Sequence, residues 1–94
     1  MSQQIMAKED LIAQIMEAEY LNPKALVVFG ITNEKAAKMV GVSLRHFYRY
    51  EHTQPPEPIR KLGAILARQL ISEGQEIQPD LVYIIVRHLE SEQD

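Results

Sequence analysis

Thr32-Asn33-Glu34-Lys35-Ala36-Ala37-Lys38-Met39-Val40-Gly41-Val42-Ser43-Leu44-Arg45-His46-Phe47-Tyr48-Arg49-Tyr50-Glu51 is the stretch from which the rest of the chain is read. Thr32 is a good N-cap, and the following residues predict a helix over Asn33 to Val40 that buries Ala36, Ala37 and Val40. Gly41 ends it. Ser43 caps a second helix through Glu51, with Val42, Phe47 and Tyr50 inward and Arg45, His46, Tyr48 and Arg49 outward. Two helices that cross steeply need a small residue where they touch, which Ala37 supplies. They also need a residue able to turn left-handed in a connection of three or four residues, which Gly41 supplies.

This is the physical pattern of a helix-turn-helix. With Phe47 and Tyr50 given to the core, Leu44, Arg45, Tyr48 and Arg49 project near the start of the second helix, where a major-groove reader needs its side chains. The alternative is a solvated helix face carrying two arginines.

Outward from this stretch, the chain reads as helical throughout. Residues 8 to 21 place Leu11, Ile12, Ile15, Met16 and Ala18 at helical spacing, with Glu9 and Asp10 early, which predicts an amphipathic helix. Asn22-Pro23 pairs an N-cap with the residue best tolerated at a first helical position, predicting a short helix from Pro23 to about Phe29, stopped by Gly30. Leu26, Val27 and Val28 leave a strand open there. His52 to Pro58 holds three prolines and breaks the helix. From Pro58, Ile59, Leu62, Ile65, Leu66 and Leu70 mark an apolar face, Gly74 closes the helix, and Gly63 inside it points to close approach of another backbone. Pro79 to Glu90 is apolar on more than one side, with helix favoured over strand.

The expected fold is all-α, a compact five- to six-helix bundle containing a helix-turn-helix. The 94 residues make one domain: 1–21 an N-terminal amphipathic helix, 22–75 the core, 76–94 an apolar helix with an acidic tail of Glu90, Glu92 and Asp94. Hydrophobic residues are 46%, too many for a disordered chain. With no cysteine there is neither a disulfide framework nor a thiolate metal site. His46, His52 and His88 lack metal-ligand spacing, and Asp10, Asp80 and Asp94 form no local acid–base pair, so neither a metal nor an enzyme is expected. The apolar run Leu81–Val86 falls short of the roughly 20 residues of a membrane span, and Met1 to Asp10 lacks an apolar signal core, so a cytoplasmic protein is expected. The net charge of −3 opposes nucleic-acid binding as a whole. Residues 31–70, however, carry seven basic side chains against three acidic, while the remainder carries three against ten.

The same stretch resembles the helix-turn-helix family of phage repressors, Cro proteins and xenobiotic-response-element-type bacterial regulators. The likeness lies in the spacing of Ala37, Gly41, Val42, Phe47 and Tyr50, in Gly30-Ile31-Thr32 before the first motif helix, and in Arg49-Tyr50-Glu51 at the end of the second. It covers about residues 22 to 72 and leaves out Met1 to Leu21. It departs at His52-Thr53, where the family often has Asn or Ser and then Gly. The resemblance implies that Leu44, Arg45 and Arg49 reach base edges, arginine by two hydrogen bonds to guanine and leucine against a thymine methyl. It implies backbone contacts from Asn33, Ser43, Tyr48, Thr53 and Gln54, with Arg60 and Lys61 adding electrostatic attraction.

Two functions follow as expectations. The first is a sequence-specific regulator that binds an inverted repeat of double-stranded DNA as a homodimer, because one recognition helix reads too few base pairs. Its dimer contact falls on Leu81 to Leu89, unless that helix packs internally beneath the N-terminal one. The second is a protein-interaction module on the same scaffold, with the C-terminal helix meeting another protein, as in an antitoxin or anti-regulator.

Overall fold

The computed structural model describes residues 8–92. It is all-α, and no strand occurs among the described residues: α1 (Lys8–Glu17), a 3-10 segment (Pro23–Phe29), α2 (Asn33–Val40), α3 (Leu44–Arg49), α4 (Glu57–Ser72), a 3-10 turn (Pro79–Leu81) and α5 (Val82–Glu92). Of the expected acidic tail, Glu90 and Glu92 fall within α5 and Asp94 lies outside the described residues, as do residues 1–7 of the expected N-terminal helix. None of these helices is long and apolar enough to cross a membrane.

The 3-10 segment is the centre of the bundle. It packs against α2, α3, α4 and α5, and Pro23, Lys24, Ala25, Leu26, Val28 and Phe29 are all buried. Asn22 starts it as anticipated, its side chain accepting from the Lys24 N–H at 2.9 Å. A 3-10 helix has poorer hydrogen-bond geometry than an α-helix and is ordinarily shorter, so this seven-residue piece is held by its burial rather than by its own bonds. The strand alternative is thereby resolved. Leu11, Ile15, Leu21, Phe47 and Ile85 join this segment in one apolar cluster. Each contributes roughly 1.5–3 kcal/mol by leaving water.

Three sequence expectations change. α1 stops at Glu17 rather than Leu21, and Met16 is 43% exposed. The backbone after it is taken over by α4: Arg68 donates to the Ala18 carbonyl at 2.6 Å, and the Leu21 N–H donates to the Arg60 carbonyl at 2.9 Å. Second, α4 buries Gly63, Ala64, Ala67 and Leu70 and leaves Ile65 49% exposed. Its inner face is the small-residue face because the 21–23 backbone runs across it. Third, the helix read as Ser43 to Glu51 is α3, ending at Arg49 with Tyr50 as its C-cap.

The crossing at Gly63 has a geometric reason. A Cβ placed there would fall inside the contact distance of the Leu21 carbonyl oxygen and 3.2 Å from the Pro23 nitrogen, both backbone atoms. Neither can swing aside as a side chain could. Gly63→Ala should therefore destabilise by about 1–3 kcal/mol through overpacking, even though alanine gains about 1 kcal/mol of helix propensity. Urea unfolding of the two proteins checks this, and a more stable alanine variant would contradict the crossing.

Candidate nucleic-acid interface

α2 forms with the bounds its sequence predicts. The Thr32 hydroxyl accepts from the Lys35 N–H at 3.1 Å, and Ala36, Ala37 and Val40 are buried. Gly41 then takes φ +88, with its N–H donating to the Ala37 carbonyl at 2.9 Å. A side chain there would meet nothing within 4 Å, so glycine is required by backbone conformation alone. Ser43 opens α3, its hydroxyl accepting from the His46 N–H at 3.1 Å and lying 2.9 Å from His46 Nδ1.

α3 has six residues, too few to persist without tertiary support. Phe47 supplies that support with no exposed surface, and Tyr50 meets it edge-on at 6.5 Å between ring centroids. The opposite side carries Arg45, Tyr48 and Arg49, all exposed. Arg45 and Arg49 are one helical turn apart and so share a face. Leu44 differs from the reading of it as a free apolar contact: it is half-buried and packs on the core.

The residues anticipated for backbone contact divide into two groups. Tyr48, Gln54 and Lys61 are exposed. The others are already engaged in hydrogen bonds within the protein. Ser43 is the α3 cap, and the Thr53 hydroxyl donates to the Arg49 carbonyl at 2.7 Å, closing the other end of the helix. Asn33 Oδ1 accepts from Lys24 Nζ at 3.1 Å. Arg60 is half-buried, with Nε donating to the Pro55 carbonyl at 3.1 Å and its guanidinium 4.9 Å above the Tyr20 ring. Arg60 thus holds the proline loop and the 18–22 connection, and Lys61 beside it is the more available cation.

Lys24 is the residue that sequence reasoning missed. It is 8% exposed, and its ammonium lies 5.2 Å from the Phe47 ring centroid and 5.3 Å from that of Tyr48, within the range of cation–π attraction. It also sits 3.6 Å from Glu51 Oε1. One charge therefore ties the start of α2, the body of α3 and Glu51, just beyond the α3 C-cap. The other Glu51 oxygen accepts from Arg87 of α5 at 3.4 Å. Desolvation pushes the Glu51 carboxyl up, but Lys24, the hydrogen bond and charge of Arg87, and His52 together outweigh it and hold the group below its ordinary value. The one sequence signal was a lysine set within an otherwise apolar segment; its partners lie about 9 to 27 residues away in the chain.

Behind the 51–54 segment, α5 buries His88 to 6% exposure. Its Nε2 has no hydrogen-bond partner among the described residues. Comparison of the chain with protein-family models, with curated proteins and with solved structures gives no match, so the reading of this surface rests on its own residues.

His88 generates a pH prediction. Burial first, then the Arg87 and Lys24 charges, push its imidazole down to about 4, against a partial opposing effect of Glu51. An unfolded histidine titrates near 6.5, so between these values the unfolded chain binds the extra proton. Stability should be fully present above about pH 6.5 and fall as the pH drops toward 4, by up to about 3 kcal/mol from this residue. His88→Gln should flatten that decline in denaturant titrations across the interval. An equally steep decline in the variant would remove His88 as its cause.

Proposed function

We propose that the protein is a DNA-binding regulator in which α2 and α3 act as a helix-turn-helix and α3 is the recognition helix. The observation that carries this reading is the division of α3. Phe47 is wholly buried on one side, while Arg45 and Arg49 stand in solvent on the other, on a helix capped at both ends by Ser43 and Thr53. A fixed short helix presenting two arginines suits bidentate recognition of guanine in a major groove. The resemblance of residues 22–72 to phage repressors and Cro proteins supports the same reading. Arg45 and Arg49 read bases, Leu44 adds at most an apolar edge, and Tyr48, Gln54 and Lys61 meet phosphate or sugar. This is a binding role in the cytoplasm rather than an enzymatic one.

The proposal includes a homodimer on an inverted repeat. Tyr83 of α5 is 66% exposed, with Val82 and Val86 half-buried near it in the sequence, which gives a second copy an apolar surface to cover. The same surface favours the second reading, in which α5 binds a different protein. Dimerisation in free solution and on DNA separates the two.

The test compares the parent with Arg45→Ala, Arg49→Ala and Lys61→Ala on the preferred duplex and on a scrambled one, at several salt concentrations. All three positions are exposed, so each variant should keep its stability within about 0.5 kcal/mol. Each arginine variant should lose about 1–3 kcal/mol on the preferred site and relax discrimination at one base pair. Lys61→Ala should weaken both duplexes alike and reduce the salt slope by about one phosphate's worth. Specificity ratios unchanged by either arginine variant would refute base reading by α3. No salt-dependent binding by the parent would refute the function.

A further inference from the structure

His46 is the exposed polar residue of α3 to which the proposed function gives no part. We propose that it is a second flank contact of α3 with DNA, its Nε2–H donating to a phosphate oxygen on the groove wall opposite the one that Tyr48 meets, a contact that rests on α3 reading the major groove.

The turn of the helix places it there. Successive residues of an α-helix are rotated by about 100°. From the line midway between Arg45 and Arg49, Phe47 points about 180° away, and Phe47 is wholly buried, so that line is the outward direction of α3. His46 stands about 80° to one side of it and Tyr48 about 80° to the other, and both are exposed. A helix with its side chains is about 10–12 Å across, and the major groove is about 12 Å wide. A helix seated with its arginines on the base edges therefore brings each flank to a sugar–phosphate wall. The Tyr48 flank lies toward the start of α2, since the Lys24 ammonium is 5.3 Å from the Tyr48 ring centroid and 3.1 Å from Asn33 Oδ1. The other wall is left to His46.

The ring is already aimed. Ser43 Oγ accepts from the His46 N–H at 3.1 Å, which leaves the hydroxyl hydrogen to donate, and His46 Nδ1 is the acceptor 2.9 Å away. The hydrogen-bond network thus assigns the hydrogen of the neutral imidazole to Nε2, on the side of the ring turned from Ser43. Protonation keeps that hydrogen, because the ring then donates from Nδ1 to Ser43 Oγ and still carries Nε2–H. The ring has no further partner among the described residues. Holding it in advance removes part of the side-chain ordering that binding otherwise requires.

Two variants separate the ring nitrogens in the experiment. Gln places an amide N–H about where Nε2–H stands, while Asn reaches only to the place of Nδ1. The Ser43 cap uses the backbone N–H of residue 46, so His46→Gln and His46→Asn should both unfold at the parent's urea concentration. Binding is measured on the preferred and scrambled duplexes, on the alkaline side of the His46 titration. His46→Asn should lose about tenfold in affinity on both duplexes alike, and His46→Gln should bind nearly as the parent does. Because a neutral donor releases no counterion, the salt slope should stay at the parent's value in both, unlike the reduction expected of Lys61→Ala. Independently of DNA, the ¹⁵N spectrum of the free chain should show the ring hydrogen on Nε2, and added duplex should shift that nitrogen more than Nδ1. A parent that binds no duplex at low salt would overturn the DNA reading and this contact with it. Where the parent binds, an undiminished His46→Asn affinity, an equal loss in both variants, or a loss confined to the preferred duplex would overturn the phosphate contact alone. A ring hydrogen found on Nδ1 in the free chain would overturn it as well.

Discussion

The passage of the 21–23 backbone across Gly63 is the constraint on which this bundle depends. It lets the Leu21 N–H reach the Arg60 carbonyl and lays Pro23–Phe29 along α4 at a distance no side chain would permit. Once seated there, the 3-10 segment becomes the surface on which α2, α3 and α5 pack. The rotation of α4 follows as well. Gly63, Ala64, Ala67 and Leu70 must face inward, and Ile65, about 200° around the helix from Gly63, must face out.

The same crossing delivers Lys24 to the underside of α3. A six-residue helix has little cooperativity of its own, so its position is set by what it packs on and by what closes its ends. Phe47 sets its depth, Ser43 and Thr53 terminate it, and Lys24 connects its aromatic residues to Asn33 and Glu51. These contacts lie on the inner side or at the ends. Arg45 and Arg49 remain in solvent, so the structure holds α3 firmly while leaving its outer face chemically open. Arg87 extends the ionic chain to α5, placing the surface proposed for partner contact one ion pair away from Glu51, just beyond the α3 C-cap.

What could be read in the sequence was local. Thr32, Ser43 and Asn22 are caps by short-range hydrogen bonds, Gly41 is a turn by backbone conformation, and the Ala36, Ala37, Val40 pattern is set by helical period. Each of these depends on residues a few positions apart, and the structure bears them out. The close approach at Gly63 was legible as an oddity, though its partner was not. What escaped depended on distant chain segments. The early end of α1 follows from Arg68 taking the Ala18 carbonyl, 50 residues away. Arg60 counts as a free cation until the Tyr20 ring and the Pro55 carbonyl are placed beside it. Lys24 counts as a surface residue until Phe47, Tyr48 and Glu51 surround it.

If α3 is held in order to read DNA, the purified chain should select sequence from a random pool without help from any other protein. Successive rounds of binding and amplification with the parent protein test this most directly. The account predicts enrichment of an inverted repeat with guanines in each half-site, the half-site centres lying about one helical turn, 10 base pairs, apart. A recovered pool indistinguishable from the input, at salt low enough to favour phosphate contacts, would contradict it.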